Sequence, residues 1–171
     1  VLLVDANMRT PMQHHIWQVT NAQGLSNVIV GQAKLQETLH SVHPNLSLLT
    51  SGIMPPNPIS PLDSERMATL VNQFSELFDY VIFDTPSLSG NADAAILGKI
   101  ADGILYVARP GVLDIDKARY CKDFLARTEQ RIMGLVANGI VVKSEPDSYY
   151  YYTSDEEESG LEKQQEQDSL L

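Results

Sequence analysis

Two carboxylates stand at the ends of apolar runs, a placement that suits metal-assisted phosphate chemistry. In Val1-Leu2-Leu3-Val4-Asp5-Ala6-Asn7-Met8-Arg9, four apolar residues lead into Asp5. In Asp79-Tyr80-Val81-Ile82-Phe83-Asp84-Thr85-Pro86, a second run leads into Asp84. In an open α/β sheet the C-terminal ends of the strands open onto the crevice where ligands bind. Carboxylates placed there can hold Mg²⁺ directly or through water and so neutralise phosphate charge. For one such run alone, an aspartate that merely caps a strand is an equal alternative. Two matched runs favour the metal.

A phosphate cradle would complete such a site, and it takes the form G-x-x-x-x-G-K-[ST], whose backbone N–H groups and lysine wrap the phosphates. The one Gly-Lys pair is Gly98-Lys99, which is followed by Ile100, has Asp93 where the first glycine should be, and lies in a helical pattern. It is not a phosphate loop. The chain opens at Val1 in mid-strand without a methionine, and the expectation is that sequence upstream has been lost.

The elements that must position the two acids follow from periodicity. Val1–Val4 is apolar without alternation, as suits a strand buried on both faces. Leu46–Thr50, Tyr80–Phe83, Gly103–Ala108 and Ile132–Val142 read as further strands or strand ends. Pro61–Phe78 reads as one helix, with proline in the first turn, Asp63 and Glu65 near the N-terminus, and Leu62, Met67, Leu70, Val71, Phe74 and Leu77 at helical spacing. Asn91–Ile100 and Asp114–Thr128 are the other two helices. Strands alternating with helices imply an α/β fold with a mainly parallel sheet flanked by helices. Between strand and helix, Ser51–Pro61 holds Pro55, Pro56, Pro58 and Pro61 and reads as an irregular loop.

Charge divides the chain. Its net charge is −10, and from Ser144 onward nine acids face one base, Lys163, so most of that charge sits in the tail. Residues 1–142 therefore read as a domain, partial in its phosphate-binding half. Residues 143–171 read as a disordered acidic tail whose aromatic content is Tyr149–Tyr152. No basic footprint for nucleic acid is present, and no apolar run approaches a bilayer span. The lone Cys121 excludes an internal disulfide and reads as a packing residue in a helix. His14-His15 reads as a surface pair, and His40 and His43 have no third ligand nearby. Trp17 is expected against a sheet edge, and Glu65-Arg66 on a solvated helix face.

Taken together, these residues resemble the bacterial tyrosine kinases of capsular and exopolysaccharide synthesis, relatives of the division-site and chromosome-partitioning ATPases. Val1–Pro11 looks like that family's second acidic motif, a strand followed by D-x-D-x-R. Gly24-Leu25-Ser26-Asn27-Val28-Ile29-Val30-Gly31 is similar to its G-L-S-[DN] helix, and Ser51–Pro58 to its G-x-x-P-P-N-P loop, with Ser64-Glu65-Arg66-Met67 beyond. Tyr80–Pro86 and Asp93-Ala94 resemble its Walker B strand and following D-A, and Gly134–Gly139 its G-hh-h-N-G strand.

The resemblance implies ATP and Mg²⁺ as phosphoryl donor and metal. Asp84 would position the metal, and Asp5 would assist it and activate the tyrosyl hydroxyl. Arg9 would face phosphate or an interface acid, Asn138 would lie near the adenine, and Tyr149, Tyr150, Tyr151 and Tyr152 would accept phosphate. It further implies a chain-length-determining polysaccharide co-polymerase in the membrane as partner, fused or separate. A homo-oligomeric ring and a cytoplasmic place at the inner face of the plasma membrane belong to the same expectation. The chain departs from the family at Asn7, where a second aspartate is usual, so a weakened catalyst is expected. The rival readings are a partitioning-type ATPase without kinase activity and an inactive regulatory module.

Overall fold

Residues 1–88, 90–127 and 130–140 are described in the computed structural model of the chain. The first strand, β1 (Leu2–Asp5), lies between two parallel neighbours, β3 (Leu46–Leu49) and β4 (Val81–Asp84). A fourth strand, β2 (Leu39–His43), joins β3 in antiparallel register, giving the order β2-β3-β1-β4. Because β1 is covered on both sides, Leu2 and Val4 are fully buried, as the unbroken apolar run predicts. At the edge of the sheet, β4 leaves Ile82 half exposed.

The antiparallel β2–β3 hairpin was not legible in the sequence. The segment Leu39-His40-Ser41-Val42-His43 lacks the period-2 alternation of a strand, since His40 and Ser41 are adjacent polar residues, and its pairing is irregular between Ser41 and His43. The helix expected over Pro61–Phe78 is two helices, α4 (Ile59–Leu62) and α5 (Glu65–Leu77), after three short ones, α1 (Gln13–Ile16), α2 (Leu25–Ile29) and α3 (Leu35–Thr38). The break has a local cause. Ser64 is extended, and its Oγ accepts a hydrogen bond from Met67 N at 3.2 Å, so it caps α5 and excludes Asp63 from it. The inner face of α5 carries Met67, Leu70 and Phe74, which join Leu2, Val4, Met8, Leu25, Leu49 and Leu97 in the core.

Helix α6 (Asp93–Gly98) follows β4, with Lys99 as its C-cap. Strands β5 (Ile104–Ala108) and β6 (Ile132–Ala137) form a two-stranded sheet of their own, and α7 (Ile115–Arg127) lies between them in sequence. Cys121 is buried on α7, as expected for a packing residue. The strand β6 stops at Ala137, short of the expected Val142, because Gly139 turns the backbone with φ +69°. The described residues fall into two compact units, Val1–Leu105 with Ile115–Gly134, and Tyr106–Asp114 with residues 135–140. Among the described residues no helix is long and apolar enough to cross a membrane. Val141, Val142 and the tail, including Tyr149–Tyr152, lie outside the described residues.

Candidate active site

The parallel register of β1 on β4 runs from Leu2↔Val81 to Asp5↔Asp84, so the two acids named from sequence are direct cross-strand partners at the C-terminal ends of their strands. Pairing continues past them, since Ala6 N donates to the main-chain carbonyl of Asp84 at 2.9 Å. Registered residues of adjacent strands face the same side of a sheet, with backbones about 4.8 Å apart. The two carboxylates therefore share one face by construction, not by a chance meeting of side chains.

They differ in exposure. Asp5 is fully buried, whereas Asp84 is half-buried. The Asn7 N–H donates to Asp5 Oδ1 at 3.2 Å, and the Gln13 N–H donates to Asp5 Oδ2 at 3.1 Å. Burial pushes the Asp5 carboxyl above its ordinary value and the Asp84 charge adds to the rise, while N–H groups of Gln13, Asn7 and Met12 pull it back. On Asp84, Oδ2 accepts from the side-chain amide of Gln13 at 2.7 Å. One residue thus bridges the pair, its main chain on Asp5 and its side chain on Asp84.

The loop between β1 and α1 is held by its own polar groups. Asn7 Oδ1 accepts from Thr10 N at 3.1 Å and Thr10 Oγ1 at 3.3 Å, an Asx turn that needs only an acceptor. Arg9 does not reach the paired acids; its Nε donates to the fully buried Asp93 of α6 at 3.2 Å. Two further motifs meet in space. Leu25 N and Ser26 N donate to Thr50 O and Ser51 O at 2.8 and 2.9 Å, and Asn21 Oδ1 accepts from Gly52 N at 2.8 Å. This knot fixes where α2 begins, at the end of β3.

Of the site residues expected from sequence, Asp5 and Asp84 are brought together, and Arg9 is held one loop away. Asn138 lies in the other compact unit, just past β6, where its N–H donates to Ala108 O at 2.7 Å. Sequence reasoning did not find Gln13 or the partnership of Asp93 with Arg9. Gln13 stands eight residues after Asp5 in a polar stretch with no periodicity, so nothing marked it. Asp93 was visible as part of the Asp93-Ala94 pair, but not as an ion-pair partner. The rings of His14 and His15 lie tilted at 38° with centroids 3.9 Å apart, and among the described residues no group of three metal-ligating side chains is found. Glu65 and Arg66 are exposed on α5, as expected.

No protein-family profile matches the chain. The tyrosine-protein kinase YwqD of Bacillus subtilis is 36% identical over 140 residues, which cover 81% of this chain and 59% of that protein. The tyrosine-protein kinase Etk of Escherichia coli is 30% identical over 145 residues, covering 84% of this chain and 20% of Etk. The chain therefore spans about three-fifths or less of these two relatives. Among solved structures, the chimerical protein CapA2B2 superposes with a TM-score of 0.79 at 31% identity, covering 81% of this chain and 62% of that one. The septum site-determining protein MinD of Pyrococcus horikoshii, solved with Mg-ADP, shares the fold at a TM-score of 0.62 and 17% identity. The mostly parallel sheet, its flanking helices and these likenesses agree: the chain's sequence relatives are named tyrosine-protein kinases, and its fold is that of bacterial tyrosine-kinase domains, shared by MinD.

Proposed function

We propose that this chain supplies the metal-binding half of a protein-tyrosine kinase that phosphorylates tyrosines of its own acidic tail, Tyr149–Tyr152. The observation that carries the proposal is the Asp5↔Asp84 register pair at the ends of two parallel strands. Two hard oxygen donors, one buried and one facing outward, fit a magnesium ion that keeps several of its waters and takes further ligands from phosphate. Asp84 would hold Mg²⁺ and Asp5 would reinforce it from behind. When bound, the ion neutralises the charge of the transferring phosphoryl group.

The residues' own work is positioning. The N–H groups of Asn7 and Gln13 keep the Asp5 carboxylate fixed, where it would receive the proton of the tyrosyl hydroxyl. In that transfer the tyrosyl oxygen bonds to the γ-phosphorus of ATP, the bond to the β,γ-bridging oxygen breaks, and ADP leaves. Arg9, anchored on Asp93, would present its outer guanidinium nitrogens to phosphate or to an acid of a neighbouring copy. Asn138 would contact the adenine. The 171 residues contain no G-x-x-x-x-G-K-[ST] loop, so tight binding of ATP would need a phosphate loop added to them.

The family resemblance supports a role in exopolysaccharide synthesis and export. It also supports a membrane-bound chain-length-determining co-polymerase as partner, a ring of copies, and work at the cytoplasmic face of the plasma membrane. The test is phosphosite mapping by mass spectrometry in a parent chain carrying a Gly-Lys loop, incubated with Mg·ATP. Phosphate on Tyr149–Tyr152 that disappears in Asp84→Asn supports the reading. Phosphate elsewhere and none on these four tyrosines overturns the tail as substrate, and full activity of Asp84→Asn overturns the site.

A further inference from the structure

Gln13 makes two contacts that place it between the paired acids. Its main-chain N–H donates to Asp5 Oδ2 at 3.1 Å, and its side-chain Nε2 donates to Asp84 Oδ2 at 2.7 Å. The second is the shorter of the two. Asp5 is already satisfied on both oxygens by main-chain N–H groups, and it is fully buried. The half-buried Asp84 differs in that its hydrogen-bond partner is a side chain, the amide of Gln13.

We infer that Gln13 is a positioning residue that competes with the divalent cation for Asp84, its amide standing in for positive charge until the metal displaces it. This rests on the metal reading of the acidic pair. The amide holds Asp84 Oδ2, so the exchange concerns a cation that takes that same oxygen, where the amide's partly positive hydrogens and the ion repel one another. The exchange lowers the apparent affinity for the metal by the strength of the bond given up. In return, the two acids stay aligned and compensated when the metal is absent. Because the main-chain contact to Asp5 is independent of the side chain, α1 keeps its anchor when the amide turns away.

The experiment measures Mn²⁺ binding to the 171-residue chain by electron paramagnetic resonance, for the native sequence, Gln13→Met and Gln13→Lys. Methionine keeps the length without a donor, and roughly ten- to hundredfold tighter binding is expected, the equivalent of one hydrogen bond to a charged group. Lysine offers Asp84 a permanent cation, and binding at least roughly tenfold weaker is expected. A merely structural role would weaken binding in both variants, so the opposite signs are the signature. Binding in Gln13→Met that is unchanged or weaker overturns the competition. No binding in any of the three chains overturns the metal reading and this inference with it. Should Gln13→Met not fold, the side-chain amide resonance of Gln13 in the native chain decides by NMR. It must move on Mg²⁺ titration in step with the Asp84 carboxylate, and an immobile resonance overturns the exchange.

Discussion

Arg9 and Asp93 are 84 positions apart in the chain, yet Arg9 Nε donates to both carboxylate oxygens of Asp93, at 3.3 and 3.2 Å. The pair ties the loop after β1 to the start of α6 across the two acids' end of the sheet. Its members are unequal, because the Asp93 side chain is fully buried while that of Arg9 is 35% exposed.

That inequality predicts an unequal response to mutation. Arg9→Ala leaves a buried carboxylate without this partner, and a buried polar group stripped of its partner costs about 1–3 kcal/mol, more when charged. Asp93→Ala frees an arginine that can turn to water, and about 1 kcal/mol or less is expected. Denaturant titrations of both single variants measure the difference. If Asp93→Ala proves the more destabilising, the aspartate has a structural duty beyond holding Arg9.

Asp84→Asn should stabilise the fold while removing metal binding. Like charges directly opposite each other on neighbouring strands cost on the order of 0.5–1 kcal/mol. The asparagine can still offer its carbonyl oxygen to the Gln13 amide. A gain of that size raises the melting temperature by about 1–4 °C for a chain of this length. The pH dependence follows from Asp5, whose folded-state proton affinity burial raises above its ordinary value of 3.8. Between the unfolded and folded values the folded state holds more protons, so stability is greatest below 3.8 and is lost as pH rises through the folded value. Removing the Asp84 charge lowers that folded value and flattens the loss. Melting curves from pH 4 to 7 for both chains check this, and a lower melting temperature of Asp84→Asn at pH 7 would sink it.

The knot between α2 and the end of β3 should be intolerant of a single methyl group. Gly52 has φ +75°, and a Cβ there would lie 2.5 Å from Asn27 Oδ1 and 2.8 Å from Gly24 N. Gly90 has a similar φ, +87°, but nothing within 4 Å of the same position. The left-handed backbone costs an alanine about 1–2 kcal/mol at either site. Gly52→Ala should therefore lose about 2 kcal/mol more than Gly90→Ala, the added amount coming from displaced hydrogen bonds. Equal losses in chemical unfolding would show that the knot is soft.

These particulars also show which parts of the protein the sequence exposes. Asp5 was visible because burial of β1 on both faces forces an unbroken apolar run, and Asp84 because Tyr80–Phe83 is as apolar although β4 lies at the sheet edge. The boundary between α4 and α5 was not visible, because Leu62 keeps helical spacing across it and only the backbone of Ser64 reveals the cap. The β2 hairpin was hidden for a related reason: its polar residues do not demand burial. Gln13 was the deepest omission at the site. It acts through one main-chain and one side-chain bond, and neither leaves a periodic or compositional trace.

Asn7→Asp should be structurally silent and chemically informative. The side chain of Asn7 contributes one acceptor, Oδ1, which takes hydrogen bonds from Thr10 N and Thr10 Oγ1. An aspartate provides the same acceptor with greater strength, so the Asx turn survives and the change in stability from that turn stays within about 0.5 kcal/mol. The added charge is another matter. It stands two residues from Asp5, on a residue whose N–H already serves that carboxylate, and it is repelled unless a cation is present. The variant should therefore bind Mn²⁺ more tightly than the native chain, and its melting temperature should rise more steeply with added metal. In a parent chain with its phosphate loop, it should also raise the rate of tyrosine phosphorylation if this position helps remove the hydroxyl proton. Melting curves over a metal titration separate these effects. A variant that binds metal no better and works no faster would mean that position 7 serves the turn alone.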